Sequence, residues 1–134
     1  MGRRVRVLIA DDQPRARHSL TSLLATCPEV EVVGEAADGQ TAVELAGSWQ
    51  PDVVLMDIRM PRMDGLMATQ LIKERWPKMR VVILTMYTDH TAAEASAAGA
   101  DAFLIKGKPG DELLAAILAE RAAGPGRVEH KIAG

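Results

Sequence analysis

The stretch Asp-Val-Val-Leu-Met-Asp-Ile-Arg-Met-Pro at positions 52–61 decides the fold. Its apolar run, Val53 to Met56, is unbroken and ends directly in Asp57. A strand with one wet face alternates apolar and polar residues, whereas an unbroken aliphatic run suits a strand covered on both faces of a parallel sheet. Outward from it lie three runs of the same kind, Val5 to Ala10, Val81 to Leu84 and Ala102 to Ile105, with a weaker fifth at Val30 to Val33.

Helical patterns fill the gaps. Leu20, Leu23, Leu24 and Cys27 follow the i, i+3, i+4, i+7 rule of one helix face, with Pro14 suited to the first turn. Ala42, Val43, Leu45, Ala46 and Trp49 predict a second helix ended before Pro51, and Leu66, Leu71, Ile72 and Arg75 a third ended before Pro77. The alanine-rich segment Asp89 to Ala98 predicts a fourth, stopped at Gly99. Leu113, Leu114, Ile117 and Leu118 predict a fifth, broken at Gly124-Pro125-Gly126. This alternation implies an α/β domain with a parallel sheet and right-handed crossovers. From Met86 to Ala100 there is no Leu, Ile, Val, Phe or Trp. Buried alanine stabilises far less than buried leucine, so the fourth helix is expected to be weakly anchored and to shift readily.

At 134 residues the chain fits one domain, placed at 1–123, with 124–134 expected as a flexible tail or linker remnant. Hydrophobic residues at 48% suffice for a core, and a formal net charge of −2 argues against a constitutive nucleic-acid binder. The single cysteine, Cys27, permits no internal disulfide and suits a reducing cytosol. No uncharged apolar stretch is long enough to span a bilayer, and Met1-Gly2-Arg3-Arg4 reaches Asp11-Asp12 too soon for a signal peptide. The expected location is cytoplasmic, with no membrane partner.

Each strong strand ends in a residue able to do chemistry: Asp11 and Asp12, Asp57, Thr85 and Lys106. Ligands of open α/β sheets bind outside the carboxyl ends of the strands, so these five are expected to converge. Clustered carboxylates repel unless a cation sits among them, and hard oxygen ligands suit Mg²⁺. An ammonium and a hydroxyl added to such a cation supply the charge neutralisation that phosphoryl transfer needs, and an aspartate can itself be the nucleophile, giving an acyl phosphate. Plainer readings exist for each residue taken singly. The Asp11-Asp12 pair can cap the first helix, and Asp64-Gly65 reads as a turn and helix start. Thr85 can be an ordinary β residue, Lys106 a solvated lysine and Phe103 core. Cys27 is expected as a buried helix residue, Trp49 and Trp76 as packing at helix ends, and the methionines as core filler. His18, His90 and His130 show no metal-ligand spacing.

Five segments in order carry a family resemblance: Val-Leu-Ile-Ala-Asp-Asp at 7–12, the 52–61 stretch, Met-Asp-Gly-Leu at 63–66, Val-Val-Ile-Leu-Thr at 81–85 and Gly-Ala-Asp-Ala-Phe-Leu-Ile-Lys at 99–106. Over roughly residues 4–121 the chain resembles the receiver domains of two-component response regulators. The wording at 34–39, Gly-Glu-Ala-Ala-Asp-Gly, is most similar to the subfamily with a LuxR-type helix-turn-helix output. The resemblance implies a flavodoxin-like (βα)5 three-layer sandwich with sheet order 2-1-3-4-5. It implies Asp57 as phosphoacceptor and Asp11, Asp12, Asp57 and the Arg59 backbone carbonyl as Mg²⁺ ligands. Lys106 would pair with the phosphoryl group, Thr85 would be the switch hydroxyl and Phe103 the aromatic that moves with it. The implied partner is a sensor histidine kinase. A homodimer through helices 1 and 5, or 4 and 5, fits the family, and DNA would be met only through an output domain this chain does not contain. A stand-alone receiver or a piece of a longer transcription regulator is therefore expected.

Departures from the family pattern are Gly107 where proline usually follows the lysine, with the proline displaced to Pro109, and Met86 where a small residue is common. A cis Lys106–Gly107 bond would carry the non-proline penalty, so strain or a rearranged loop is expected there. Met86 is expected to narrow access to Asp57, and Arg59 and Tyr87 to tune phosphate lifetime. These departures keep open a receiver that acts by protein contact without phosphate. An aspartyl-phosphate hydrolase would need a second aspartate where Arg59 stands. A flavin module would need a Ser/Thr/Gly-rich loop where Asp11-Asp12-Gln13-Pro14 stands.

Overall fold

Apolar runs and helical stripes become β1 (Val5–Ala10), α1 (Pro14–Leu24), β2 (Val30–Ala36), α2 (Gly39–Trp49), β3 (Val53–Met56), α3 (Gly65–Arg75), β4 (Arg80–Thr85), α4 (Ala92–Ala97), β5 (Ala102–Ile105) and α5 (Gly110–Ala123). The computed structural model describes residues 3–86, 92–107 and 110–123; the side chains of Asp111 and of residues 120–123 are not among those described. All five strands are parallel, in the order β2-β1-β3-β4-β5. Tyr87, His90, Pro109, the proposed tail 124–134 and the start of the expected fourth helix lie outside the described residues.

Alternate residues of each strand feed two different cores. Leu8 and Ala10 of β1, Val54 and Met56 of β3, and Val81 and Ile83 of β4 pack with Val43, Ile72 and Ala95 of α2, α3 and α4. Val5, Val7 and Ile9, Val53 and Leu55, and Val82 and Leu84 pack with Leu24 of α1 and Leu113 and Ile117 of α5. The result is three layers, with the central strands buried on both sides. Each fully buried aliphatic side chain is worth about 1.5–3 kcal/mol.

Several expectations are corrected. Helix α1 stops at Leu24, so Cys27 is buried but lies beyond the helix. Pro28 cannot be reached in helical conformation by the residue before it, and Thr26 closes the end by donating its hydroxyl to the Leu23 carbonyl at 2.7 Å. Neither acid caps α1: the N-cap is Gln13, without a side-chain bond, and Asp11 Oδ1 accepts from the Gln13 amide instead. Strand β2 runs three residues past Val33, with a register shift opposite Val7/Leu8. The methionines divide. Met56 and Met79 are core, whereas Met67 and Met86 are exposed. Asp64 does start α3, accepting from the Met67 amide at 2.9 Å.

The opposite pole of the sheet is tied separately. Asp52, just before β3, accepts from both terminal nitrogens of Arg3 and from the Arg6 amide. Trp76, at the end of α3, lays its ring against Gly47 and lines an open cleft with Arg3, Gln50 and Asp52. Trp49, at the end of α2, is half exposed, with one ring edge near Gly34 of β2.

Only Ala95 of the α4 residues is buried, in keeping with its composition. Amide hydrogens of Ala92–Ala97 are expected to exchange at least roughly tenfold faster than those of β1 and β3. Equal protection, measured by native-state exchange, would contradict weak anchoring.

Candidate functional site

Strand parity explains why the acids meet. Asp11 continues the alternation of Val7 and Ile9, Asp57 that of Val53 and Leu55, and Lys106 that of Ala102 and Leu104, all of which face the α1/α5 layer. The strands are in register, with Ala10 beside Met56 and Thr85 beside Ile105. The Asp57 amide donates to the Ala10 carbonyl at 2.9 Å, and the Lys106 amide to the Thr85 carbonyl at 2.8 Å.

At that edge the Lys106 ammonium bonds Asp11 Oδ2 and Asp57 Oδ2, the latter at 3.1 Å. Asp57 Oδ1 accepts from the Ile58 amide at 2.7 Å. Asp11 and Asp57 are buried and Asp12 is half-buried. One carboxylate oxygen from each of Asp11, Asp12 and Asp57 lies within 4.8 Å of the others. Burial pushes the Asp57 carboxyl up, the Lys106 ammonium pulls it down and Asp11 pushes it up again; the outcome is a raised pKa. Burial alone would lower Lys106, but its bonds to Asp11 and its attraction to Asp57 and Asp11 outweigh this and raise it.

Within this cluster, with Asp11 and Asp57 buried and Asp12 half-buried, three carboxylates face one ammonium, leaving two formal negative charges. That is the charge of one divalent cation, and an all-oxygen donor set suits Mg²⁺. Asp12 and Arg59 also line an open cleft of about 520 Å³ with Ile58, Met60, Pro61 and Asp64. Asp12 is thus reachable from solvent beside Arg59.

Thr85 is fully buried and continues the parity of Val81 and Ile83. Phe103 is half-buried against the same layer. Met86 is 69% exposed and is not among the residues lining the cleft. The Lys106–Gly107 peptide is trans, and Gly107 takes φ +91°, with nothing within 4 Å of where a Cβ would stand. Proline, held near φ −65°, is incompatible with this Gly107 conformation.

Two residues of the site region escaped the sequence reading. Arg17 donates from Nη1 to the Asp11 carbonyl at 2.7 Å and from Nε to Glu35 Oε1 at 3.1 Å. An arginine on a helix ordinarily reads as solvated, and only its spacing from Asp11 hints otherwise.

Residues 7–118 match the model of the response regulator receiver domain. The chain belongs to the response regulator receiver family. This receiver is 38% identical over 121 residues to the transcriptional regulatory protein LnrK of Bacillus subtilis, covering 90% of this chain and 55% of that protein. It is 37% identical over 131 residues to the transcriptional regulatory protein LiaR of the same organism, covering 97% and 62%. The receiver thus spans about half to three-fifths of the length of these relatives. Among solved structures it resembles the signal receiver domain of the putative response regulator NarL from Mycobacterium tuberculosis, with TM-score 0.83, 36% identity, and 92% and 99% of the two chains covered. A LuxR-family two-component response regulator from Aurantimonas sp. SI85-9A1 gives 0.82 at 32% identity, with 97% and 96% covered. The relatives bear out the LuxR-type resemblance. The response regulator domain of Thermotoga maritima CheB also matches, at 0.83 and 34%, with 92% and 100% covered, so the receiver alone does not fix the output. No described helix is long and apolar enough to cross a membrane.

Two expected outcomes follow from this geometry. A Cβ at Gly65 would stand 1.8 Å from the Asp57 carbonyl oxygen, and the Gly65 amide donates to the Ile58 carbonyl at 2.7 Å. Gly65→Ala therefore destabilises the domain by roughly 3 kcal/mol, as overpacking does; denaturant unfolding checks this. The second concerns Asp57, whose raised folded pKa means that the folded state binds more protons than the unfolded state. Its contribution to stability is full below the ordinary aspartate value and is lost as pH rises through the raised value. Without divalent metal, Asp57→Asn should be more stable than wild type at pH 7 by a few degrees in Tm, and the gap should close toward pH 4. Thermal unfolding in chelator measures it, and a lower Tm at pH 7 would mean the Lys106 pairing outweighs burial.

Proposed function

We propose that this receiver accepts a phosphoryl group on Asp57 from a sensor histidine kinase and changes conformation in response. The observation that carries the reading is the shared Lys106 ammonium between Asp11 and Asp57, with Asp12 within reach of both acids. In the step, a carboxylate oxygen of Asp57 bonds to phosphorus. The phosphorus–nitrogen bond of the donor phosphohistidine breaks, and its electron pair stays on the imidazole. The product is an acyl phosphate. Asp11, Asp12, Asp57 and the Arg59 backbone carbonyl would hold Mg²⁺, which when bound neutralises phosphoryl oxygens and so lowers the repulsion between donor and carboxylate.

The chain's own groups supply the rest. Lys106 offers a buried positive charge beside Asp57 and would follow the charge onto the phosphoryl group. The Ile58 amide holds one Asp57 oxygen and so fixes the carboxylate plane. Thr85 and Phe103 share the strand parity that faces α2, α3 and α4. A shift of the Thr85 hydroxyl toward the phosphoryl group would therefore open room for Phe103 on the side where α4 packs, biasing a two-state element.

Residues 1–123 form the receiver in this reading, with 124–134 as tail or linker. The similarity to transcriptional regulatory proteins supports a transcription-regulating output, with DNA met through a domain outside this chain. A homodimer would have at its disposal an apolar groove of about 230 Å³ formed by Leu20 and Leu23 of α1 with Leu104 and Leu113. A cytoplasmic location suits a kinase-fed phosphoacceptor.

Intact mass after incubation with a small phosphodonor, with and without Mg²⁺, tests the reading. One phosphoryl adduct is expected, dependent on Mg²⁺ and absent in Asp57→Asn. A folded wild type that takes no adduct would favour a receiver that acts by protein contact alone.

A further inference from the structure

Asp11 is held by more than its carboxylate. Its amide donates to the Ala36 carbonyl of β2 at 3.0 Å, and its carbonyl accepts from Arg17 Nη1 at 2.7 Å. The same guanidinium donates from Nε to Glu35, the neighbour of Ala36 on β2. One planar group thus spans from α1, over the end of β1, to β2. It fixes the junction that presents Asp11 and Asp12.

The position is unfavourable for a cation on local grounds. Arg17 is the fourth residue of α1, close to the positive end of the helix dipole, and the first turn carries no acid. The α1 N-cap makes no side-chain bond, and the junction's one local fastening is the Gln13 amide donated to Asp11 Oδ1 at 2.9 Å. The Arg17 side chain is 19% exposed and that of Glu35 45%. An ion pair this wet adds little stability by itself. Its reach to the Asp11 carbonyl is what a solvated arginine would not need.

From this geometry we infer that Arg17, oriented by Glu35, is a positioning residue that sets the affinity of the Asp11–Asp12 pair for a divalent cation. The inference rests on the reading of the acidic cluster as a cation site. It is distinct from a charge effect, because a nearby positive charge opposes cation binding, whereas a clamp on the ligand-bearing junction favours it. Partners that orient metal ligands typically change affinity by roughly 10–100-fold when removed; a partly exposed clamp belongs at the lower end.

Titration calorimetry with Mg²⁺ on the full chain, at a temperature well below Tm, decides it. Arg17→Ala should raise the dissociation constant roughly tenfold. Arg17→Lys keeps the charge but not the two-point fork, and should fall between the two. Glu35→Ala should weaken binding, and the double variant should be no weaker than Arg17→Ala alone, because the two residues act as one unit. A charge effect gives another pattern: tighter binding in Arg17→Ala, no change in Arg17→Lys and near wild-type affinity in the double variant. That pattern overturns the inference, as does an unchanged dissociation constant with a lowered metal-free Tm, which would mark a purely structural pair. If wild type shows no saturable Mg²⁺ binding, the cation-site reading itself fails, and this inference with it. Should Arg17→Ala not fold, the lysine variant still separates the cases.

Discussion

The Lys106 ammonium, bonded at once to Asp11 and Asp57, is the interaction on which the rest of this edge depends. Opposite charges 4 Å apart attract by about 4 kcal/mol at the effective dielectric of a protein margin. A buried charge stripped of its partner costs roughly 3–5 kcal/mol. Two buried acids therefore require the end of β5 to lie where it does, which in turn requires β4 between β3 and β5 in register. The sheet order that packing dictates thus also brings the ammonium to the two acids. A divalent cation would relieve the same charge excess, so the ammonium and the cation are alternative and cooperating counter-charges for one set of oxygens.

How much of this was legible in the sequence follows from where polarity changes. Each apolar run stops at a residue such as Asp57 or Lys106 that no buried strand would carry without purpose, so fold and candidate site could be read together. The parity that sends Asp11, Asp57 and Lys106 to one layer was also implicit, once each strand was counted back from its end. Cys27 was misplaced because helical spacing continues past the point where Pro28 forbids helix. The core reading of the methionines holds for Met56 and Met79 but fails for Met67 and Met86, because an unbranched thioether is also at home on the surface. Arg17 left only its spacing from Asp11 as a signal and Glu35 none, since their link forms only when α1 and β2 meet across β1.

The helices are unequally anchored. On the α1/α5 side Leu24, Leu113 and Ile117 lock helices to strands, whereas on the other side α4 contributes Ala95 alone among its described residues. Thr85 and Phe103 continue strands toward that second side. The acids and Lys106 therefore face the α1/α5 layer, and the residues read as their relay face the layer in which α4, though not α2 or α3, is thinly anchored.

The tryptophans lie far from all of this. Trp76 lines the cleft around Asp52, at the start of β3, and Trp49 ends α2. Asp52 and Asp57 are five residues apart, roughly 16 Å along a strand rising about 3.3 Å per residue. The Trp76 indole therefore lies at the Asp52 pole, away from the acidic edge. For an optical spectroscopist this divides the molecule into a silent pole, where binding occurs, and an emitting pole. Any change in Trp76 emission on ligand addition would be a report from α2 and α3, not from the ligand.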